Sequence, residues 1–127
     1  MINNLLLDTH VLVWAAISPE KLSEKVTNLI LSKDSNLFLS PVSLWEIAIK
    51  NNIGKADIDF NTLLRHVPIL DAKIIQMENE HFTVLLNLPV IHKDPFDRYL
   101  ISLAIKETLT IITADENIQK YDVSWVW

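Results

Sequence analysis

Asn4-Leu5-Leu6-Leu7-Asp8-Thr9-His10 decides how the rest of this sequence is read. Three leucines form a short apolar run that ends on a carboxylate, and His10 to Ile17 follows as an apolar helical segment. This is a strand from Asn4 to Leu7 turning at once into a helix. A fully apolar first strand belongs in the middle of a sheet covered on both faces, and side chains just beyond the carboxyl ends of central strands line the crevice where ligands bind. Asp8 is therefore where chemistry is expected.

Working outward, Ser18-Pro19-Glu20-Lys21-Leu22-Ser23 carries helix-start signals, and Leu22, Val26, Leu29 and Ile30 share one helical face. Leu37-Phe38-Leu39 reads as a second strand, after which Ser40-Pro41 supplies a hydroxyl cap and a first-position proline for a helix ending near Gly54. On that helix Val42, Trp45 and Ile49 fall on one side, with Ser43, Glu46 and Lys50 on another. Phe60 to His66 reads as a short helix, Val67 to Leu70 as a third strand, Asp71 to Met77 as a helical segment and Glu80 to Leu86 as another. Asp94-Pro95-Phe96-Asp97 sets an acid cap, a proline and a third-position acid in order, the clearest helix start in the chain. Thr110 to Thr113 is a fourth strand, Glu116 to Lys120 a short helix, and Val123 to Val126 a fifth strand. The alternation predicts a single α/β domain over residues 1–127, a three-layer α/β/α sandwich with a mostly parallel sheet of about five strands.

Composition narrows the chemistry. At 127 residues, half of them apolar, the chain suits one domain with one sizeable core. No apolar run reaches the roughly 20 residues of a membrane span and no leader is evident, so a soluble cytoplasmic protein is expected. Without cysteine there is no disulfide, thiolate nucleophile or zinc–thiolate site, and a single glycine, Gly54, leaves no room for a glycine-rich phosphate loop. A net charge of -5 argues mildly against a broad basic nucleic-acid surface, but carboxylates gathered around divalent cations would have the same effect on the total.

Four acids sit at connections that empty onto one rim of such a sheet: Asp8, Glu46, Asp97 and Asp115. Carboxylates sharing a crevice repel one another unless a cation neutralises them, and Mg²⁺ or Mn²⁺ prefers this kind of oxygen donor. Phosphoryl chemistry suits that site, since a bound cation stabilises charge on phosphate oxygen and lowers the pKa of its water. Each acid alone has a plainer reading. Asp8, Asp115 and Asp94 with Asp97 can be helix caps, and Glu46 the exposed half of an (i, i+4) pair with Lys50. His10, His66, His81 and His92 show no metal-ligand spacing and read as surface or boundary residues, while Trp14, Trp45, Trp125 and Trp127 read as core and edge packing.

Read together, Leu7-Asp8-Thr9-His10-Val11-Leu12-Val13-Trp14-Ala15, Ser43-Leu44-Trp45-Glu46-Ile47-Ala48-Ile49-Lys50 with Gly54-Lys55, Leu88-Pro89 through His92-Lys93-Asp94-Pro95-Phe96-Asp97-Arg98, and Ile112-Thr113-Ala114-Asp115 resemble the four blocks of a PIN-domain protein, specifically the VapC-type toxin of bacterial toxin–antitoxin pairs. The resemblance implies a PIN fold and a Mg²⁺- or Mn²⁺-dependent endoribonuclease that hydrolyses RNA and leaves a 5′-phosphate. It makes Asp8, Glu46, Asp97 and Asp115 the acidic set, Asp8 and Asp97 foremost as metal ligands. Thr9, Ser43, Asp94 and Arg98 are its accessory positions, with Arg98 and Lys50 as phosphate contacts. Ala114 stands where the family often carries a basic residue. A homodimer and a cognate VapB-like antitoxin are implied as well, the antitoxin laying an apolar segment beside Thr9 to Ile17 and Ser40 to Asn52 and an arginine among the acids. From the residues alone two other classes stay open: a metal-dependent phosphatase or aspartyl-phosphate enzyme using Asp8 as nucleophile, and a non-catalytic peptide-binding module.

Overall fold

The computed structural model describes residues 2–56 and 58–127. Its elements run β1 (Asn3–Leu7), α1 (Thr9–Ile17), a 3₁₀ turn at Pro19–Lys21, α2 (Glu24–Leu31), β2 (Ser35–Leu39), α3 (Pro41–Asn52), α4 (Phe60–His66), a second 3₁₀ turn at Val67–Leu70, β3 (Lys73–Ile74), α5 (Asn79–Leu86), α6 (Pro95–Glu107), β4 (Thr110–Ile112), α7 (Glu116–Gln119) and β5 (Trp125–Val126). The strands form one five-stranded sheet in the order β3-β2-β1-β4-β5, and each of the four pairings is parallel. β1 is central, with Leu5, Leu6 and Leu7 all buried.

Alternation along the strands builds the layers. Leu5 and Leu7 join Leu37, Leu39, Val11, Leu12, Val26 and Leu63 on one face, packed under α1, α2 and α4. Leu6 points the other way, with Ile111, Leu100, Leu103 and Tyr121 under α6. One core thus lies on each side of the sheet, the consequence of apolar strands joined by parallel crossovers. No helix among the described residues is long and apolar enough to cross a membrane.

Two elements differ from the sequence expectation. Val67–Leu70 is a 3₁₀ turn and not the third strand, because Pro68 has no N–H for a ladder and suits the start of a helical turn. Asp71 then takes a left-handed conformation, φ 51°, and ends it. The third strand is Lys73–Ile74, inside the stretch expected to be helical; it pairs with Phe38 and Leu39 at the sheet edge, where both of its side chains are exposed and leave no apolar pattern to read. α3 differs in its buried face. Val42, Ser43, Glu46 and Ile47 are buried, whereas Trp45 is 57 % exposed and packs edge-on against Phe96. Trp125 also remains 43 % exposed. α3 ends as expected, with Gly54 at φ 72° and the Lys55 N–H donating to the Lys50 carbonyl.

Candidate active site

Pairing of β1 with β4 brings the loop after each strand to one crevice, at the point where the sheet reverses its strand order. Asp8 leaves β1 as the N-cap of α1: its Oδ1 accepts from the Val11 N–H at 2.7 Å, and its Oδ2 accepts a short hydrogen bond from the Thr113 hydroxyl at the end of β4. It is 3 % exposed. Burial pushes its carboxyl above the ordinary range, opposed by those two hydrogen bonds and by His10, and reinforced by the charge of Asp115. Asp115 caps α7 through the Asn117 N–H, and its own N–H donates to Thr113, so one threonine holds both acid-bearing loops. Asp8 and Asp115 line a common cavity of about 230 Å³ with His10, Trp14 and Ala114.

Asp97 enters from the first turn of α6, whose N-cap Asp94 accepts from the Asp97 N–H at 2.9 Å. Its carboxyl is pushed up to about 6, chiefly by burial, with the charges of Asp94, Asp115 and Glu46 adding to the shift and a hydrogen bond from His92 opposing it. Glu46 is 4 % exposed on α3. Its Oε2 is 2.6 Å from the Lys50 Nζ, and its Oε1 is buried without a hydrogen-bond partner. Lys50 is held more firmly protonated than an ordinary lysine, by the hydrogen bond to Glu46 first, with Asp94 and Asp97 also near enough to contribute. Thr9 and Ser43 are both buried and join α1 to α3 by a 3.0 Å hydroxyl–hydroxyl hydrogen bond beside Asp8 and Glu46.

The capping readings of Asp8, Asp94 and Asp115 hold geometrically, and the Glu46–Lys50 pair exists, but Glu46 is buried where an ordinary surface pair would be exposed. All four acids share one electrostatic neighbourhood. Arg98 has a different task from a free phosphate contact: its guanidinium donates to the carbonyls of Pro89 (2.8 Å), Leu88 (3.4 Å) and His92 (3.5 Å) and to the Tyr121 hydroxyl (2.9 Å), tying down the loop before α6. Lys50, by contrast, faces the acids.

Two histidines read as ordinary are not. His92 lies 3.1 Å from Asp97 through Nε2 and 2.8 Å from the Tyr121 hydroxyl through Nδ1. His81 is fully buried between α5 and α6, with Nδ1 next to the Tyr99 hydroxyl and the Glu78 N–H, and Nε2 next to Glu107. Their partners are 18 to 29 residues away except for Asp97 and the neighbouring helix cap, so spacing carried little signal. Glu78, His81 and Glu107 are the group among the described residues whose possible ligand atoms all lie within 4.8 Å of one another; no three of the crevice acids converge so closely. That group is a hydrogen-bonded tie between helices, with both ring nitrogens occupied, and Glu107 stands ten residues, about 15 Å, along α6 from Asp97.

The donor set of the crevice fits a hard divalent cation. An orphaned buried carboxylate oxygen on Glu46 and two carboxyls with raised pKa values describe a place where negative charge lacks its counter-charge. Beside it, Thr9, Val13, Trp14, Ile17, Ile49, Ile53 and Phe96 line a largely apolar groove of about 570 Å³ that ends on Glu46 and Lys50.

Comparison with known proteins agrees with this architecture. The chain resembles the solved structures of VapBC2 from Rickettsia felis bound to a promoter DNA fragment (TM-score 0.74, 18 % identity, 98 % of each chain covered) and FitAcB from Neisseria gonorrhoeae (0.67, 16 %, 97 % and 96 %). It also resembles VapBC-5 from Mycobacterium tuberculosis (0.62, 16 %, 97 % and 95 %). No curated protein matches the sequence. The PIN domain family model matches residues 5–124, nearly the whole chain, and on that match the protein belongs to the PIN-domain family.

Proposed function

We propose that this chain is a divalent-metal-dependent endoribonuclease toxin of the VapC type, cleaving RNA phosphodiesters to leave a 5′-phosphate and silenced by a cognate VapB-like antitoxin. PIN domains are generally nucleases, and PIN nucleases generally use a divalent metal. The observation that carries the reading is the group of four carboxylates at the β1–β4 crevice, of which Asp8 and Glu46 are buried, Asp97 is raised to about 6 and Glu46 keeps an unpartnered oxygen.

In this reading Asp8 and Asp97 hold Mg²⁺ or Mn²⁺, with Glu46 and Asp115 completing the acidic set. The bound cation supplies charge stabilisation at the phosphate and a water of lowered pKa. The chain's own residues set the geometry. Thr113 and the Val11 N–H fix the Asp8 carboxylate, Asp94 fixes the start of α6 and hence Asp97, and the Thr9–Ser43 bond sets α1 against α3. Lys50 holds Glu46 and presents positive charge where a phosphate would approach. An aspartyl-phosphate mechanism is less well supported, since His10 stands two positions after Asp8 where that chemistry calls for a second acid.

The apolar groove would take the antitoxin's apolar segment, with an arginine reaching Glu46 and its neighbours. A homodimer belongs to the same reading, and light scattering tests it. The central experiment is cleavage of total RNA with and without Mn²⁺, with the new 5′ ends sequenced. Asp8→Asn should fold, because an amide oxygen can still cap α1, yet lose roughly a thousandfold in rate. Native-rate cleavage by that variant, or native cleavage undiminished by EDTA, would overturn the proposal.

A further inference from the structure

We infer that His92 is a positioning residue for Asp97, held in one tautomer by Tyr121 and Arg98 so that its Nε2–H fixes the Asp97 carboxylate for cation binding. This rests on the reading of Asp97 as a metal ligand.

The direction of each hydrogen bond follows from counting donors. Arg98 has only donors, and its Nη1 lies 2.9 Å from the Tyr121 oxygen; the His92 backbone N–H reaches the same oxygen at 3.1 Å. Both contacts make the phenol oxygen an acceptor. Its single O–H then has two places to go, the His92 Nδ1 at 2.8 Å or the His92 carbonyl at 3.4 Å, and the shorter contact is the stronger. Nδ1 therefore accepts, the ring proton sits on Nε2, and Nε2–H donates to Asp97 Oδ2 at 3.1 Å. The chain runs from Arg98 through Tyr121 and His92 to Asp97 and closes on itself, since Asp97 and Arg98 are adjacent on α6. A guanidinium at one end polarises every bond toward the carboxylate at the other.

Asp97 needs such a partner. Its terminal torsion is intrinsically broad, and Asp94, Asp115 and Glu46 all press on it with like charge. One N–H on Oδ2 restrains the carboxylate plane and leaves Oδ1 outside that contact, available to a cation. Outer partners of this kind typically govern ligand affinity by ten- to a hundredfold.

The test uses Mn²⁺ itself, titrated calorimetrically into the unmodified protein, Asp97→Asn, His92→Leu and His92→Gln, each checked by thermal melting. Long-range ¹H–¹⁵N NMR of the metal-free protein reads the His92 tautomer. Glutamine places an amide N–H near the position of Nε2 and leucine does not. His92→Leu should bind Mn²⁺ about tenfold more weakly, His92→Gln should recover to within about threefold, and NMR should find a proton on Nε2 with Nδ1 as the acceptor. Native affinity in His92→Leu, failure of His92→Gln to recover while melting like the unmodified protein, or the Nδ1–H tautomer would each overturn the inference. If the unmodified protein bound no Mn²⁺, or Asp97→Asn bound it equally well, the metal-ligand reading itself would fall.

Discussion

Replacing Asp97 by Asn should stabilise the metal-free protein, and the gain should depend on pH in a defined direction. The folded-state carboxyl titrates near 6 against an ordinary 3.8, a difference of about two units. At about 1.36 kcal/mol per unit this is at most ~3 kcal/mol of penalty for holding the charge in the folded state. Because the folded pKa is raised, the associated stability is fully present below about pH 4 and is lost as pH rises through about 6. The side chain is only 17 % exposed, so solvent screening removes little of it, although the neighbouring acids titrate with it and the value belongs to the group. Asparagine keeps an oxygen for the His92 N–H and carries no charge. Melting in EDTA from pH 4 to 8 should show native protein and variant nearly alike at pH 4, separating between pH 4 and 6, with the variant up to ~10 °C higher at pH 8. Mn²⁺ at a thousand times its Kd should reverse the order by raising only the native protein, by about 4.1 kcal/mol. A melting difference that stays constant across this range, or a variant less stable than native protein at pH 8 without metal, would refute the reasoning.

Glu46→Gln and Asp115→Asn should each slow RNA cleavage, with part of the loss recovered at higher Mn²⁺ concentration; equal and unrecoverable loss in both would place them in direct contact with the cation alongside Asp8 and Asp97. Arg98→Met should lower stability by ~1–3 kcal/mol in denaturant melts, because the Leu88 and Pro89 carbonyls and the partly buried Tyr121 hydroxyl lose a charged donor. The Asp8→Asn, Asp97→Asn double variant should bind antitoxin more weakly than native protein at low salt, the difference narrowing at high salt; equal affinity at both would leave the apolar groove alone to explain binding.

The order of elements was legible because its signals are local. Leu5 to Leu7 is a buried strand from three residues' composition, and Asp8, Ser40-Pro41 and Asp94-Pro95 announce helix starts through cap chemistry that acts within three residues. The acids at those starts were legible for the same reason, since Asp8 stands at a strand-to-helix junction and Asp94 and Asp97 at the proline-marked start of α6. β3 was missed because an exposed two-residue edge strand is specified by its neighbour, Phe38–Leu39, and by nothing in Lys73–Ile74 themselves. On α3 the helical period grouped Ser43 with Glu46, and both are buried, but it also grouped Val42 with Trp45, of which only Val42 is buried, because period alone does not say where the edge of the buried face falls. Packing between α1 and α6 turned Glu46 inward and Trp45 outward.

The sequence by itself thus determined the α/β alternation, the central strand and the four acids at its rim, because caps, apolar runs and turn residues act over a few positions. Only the tertiary structure decided that β1 lies beside β4, that Glu46 is buried with an unpartnered oxygen, and that Arg98, Tyr121 and His92 converge on Asp97. The reason is physical: burial, pKa and hydrogen-bond direction depend on groups as far as 105 residues apart in the chain, as Asp8 and Thr113 are, and no local pattern encodes which of them will meet.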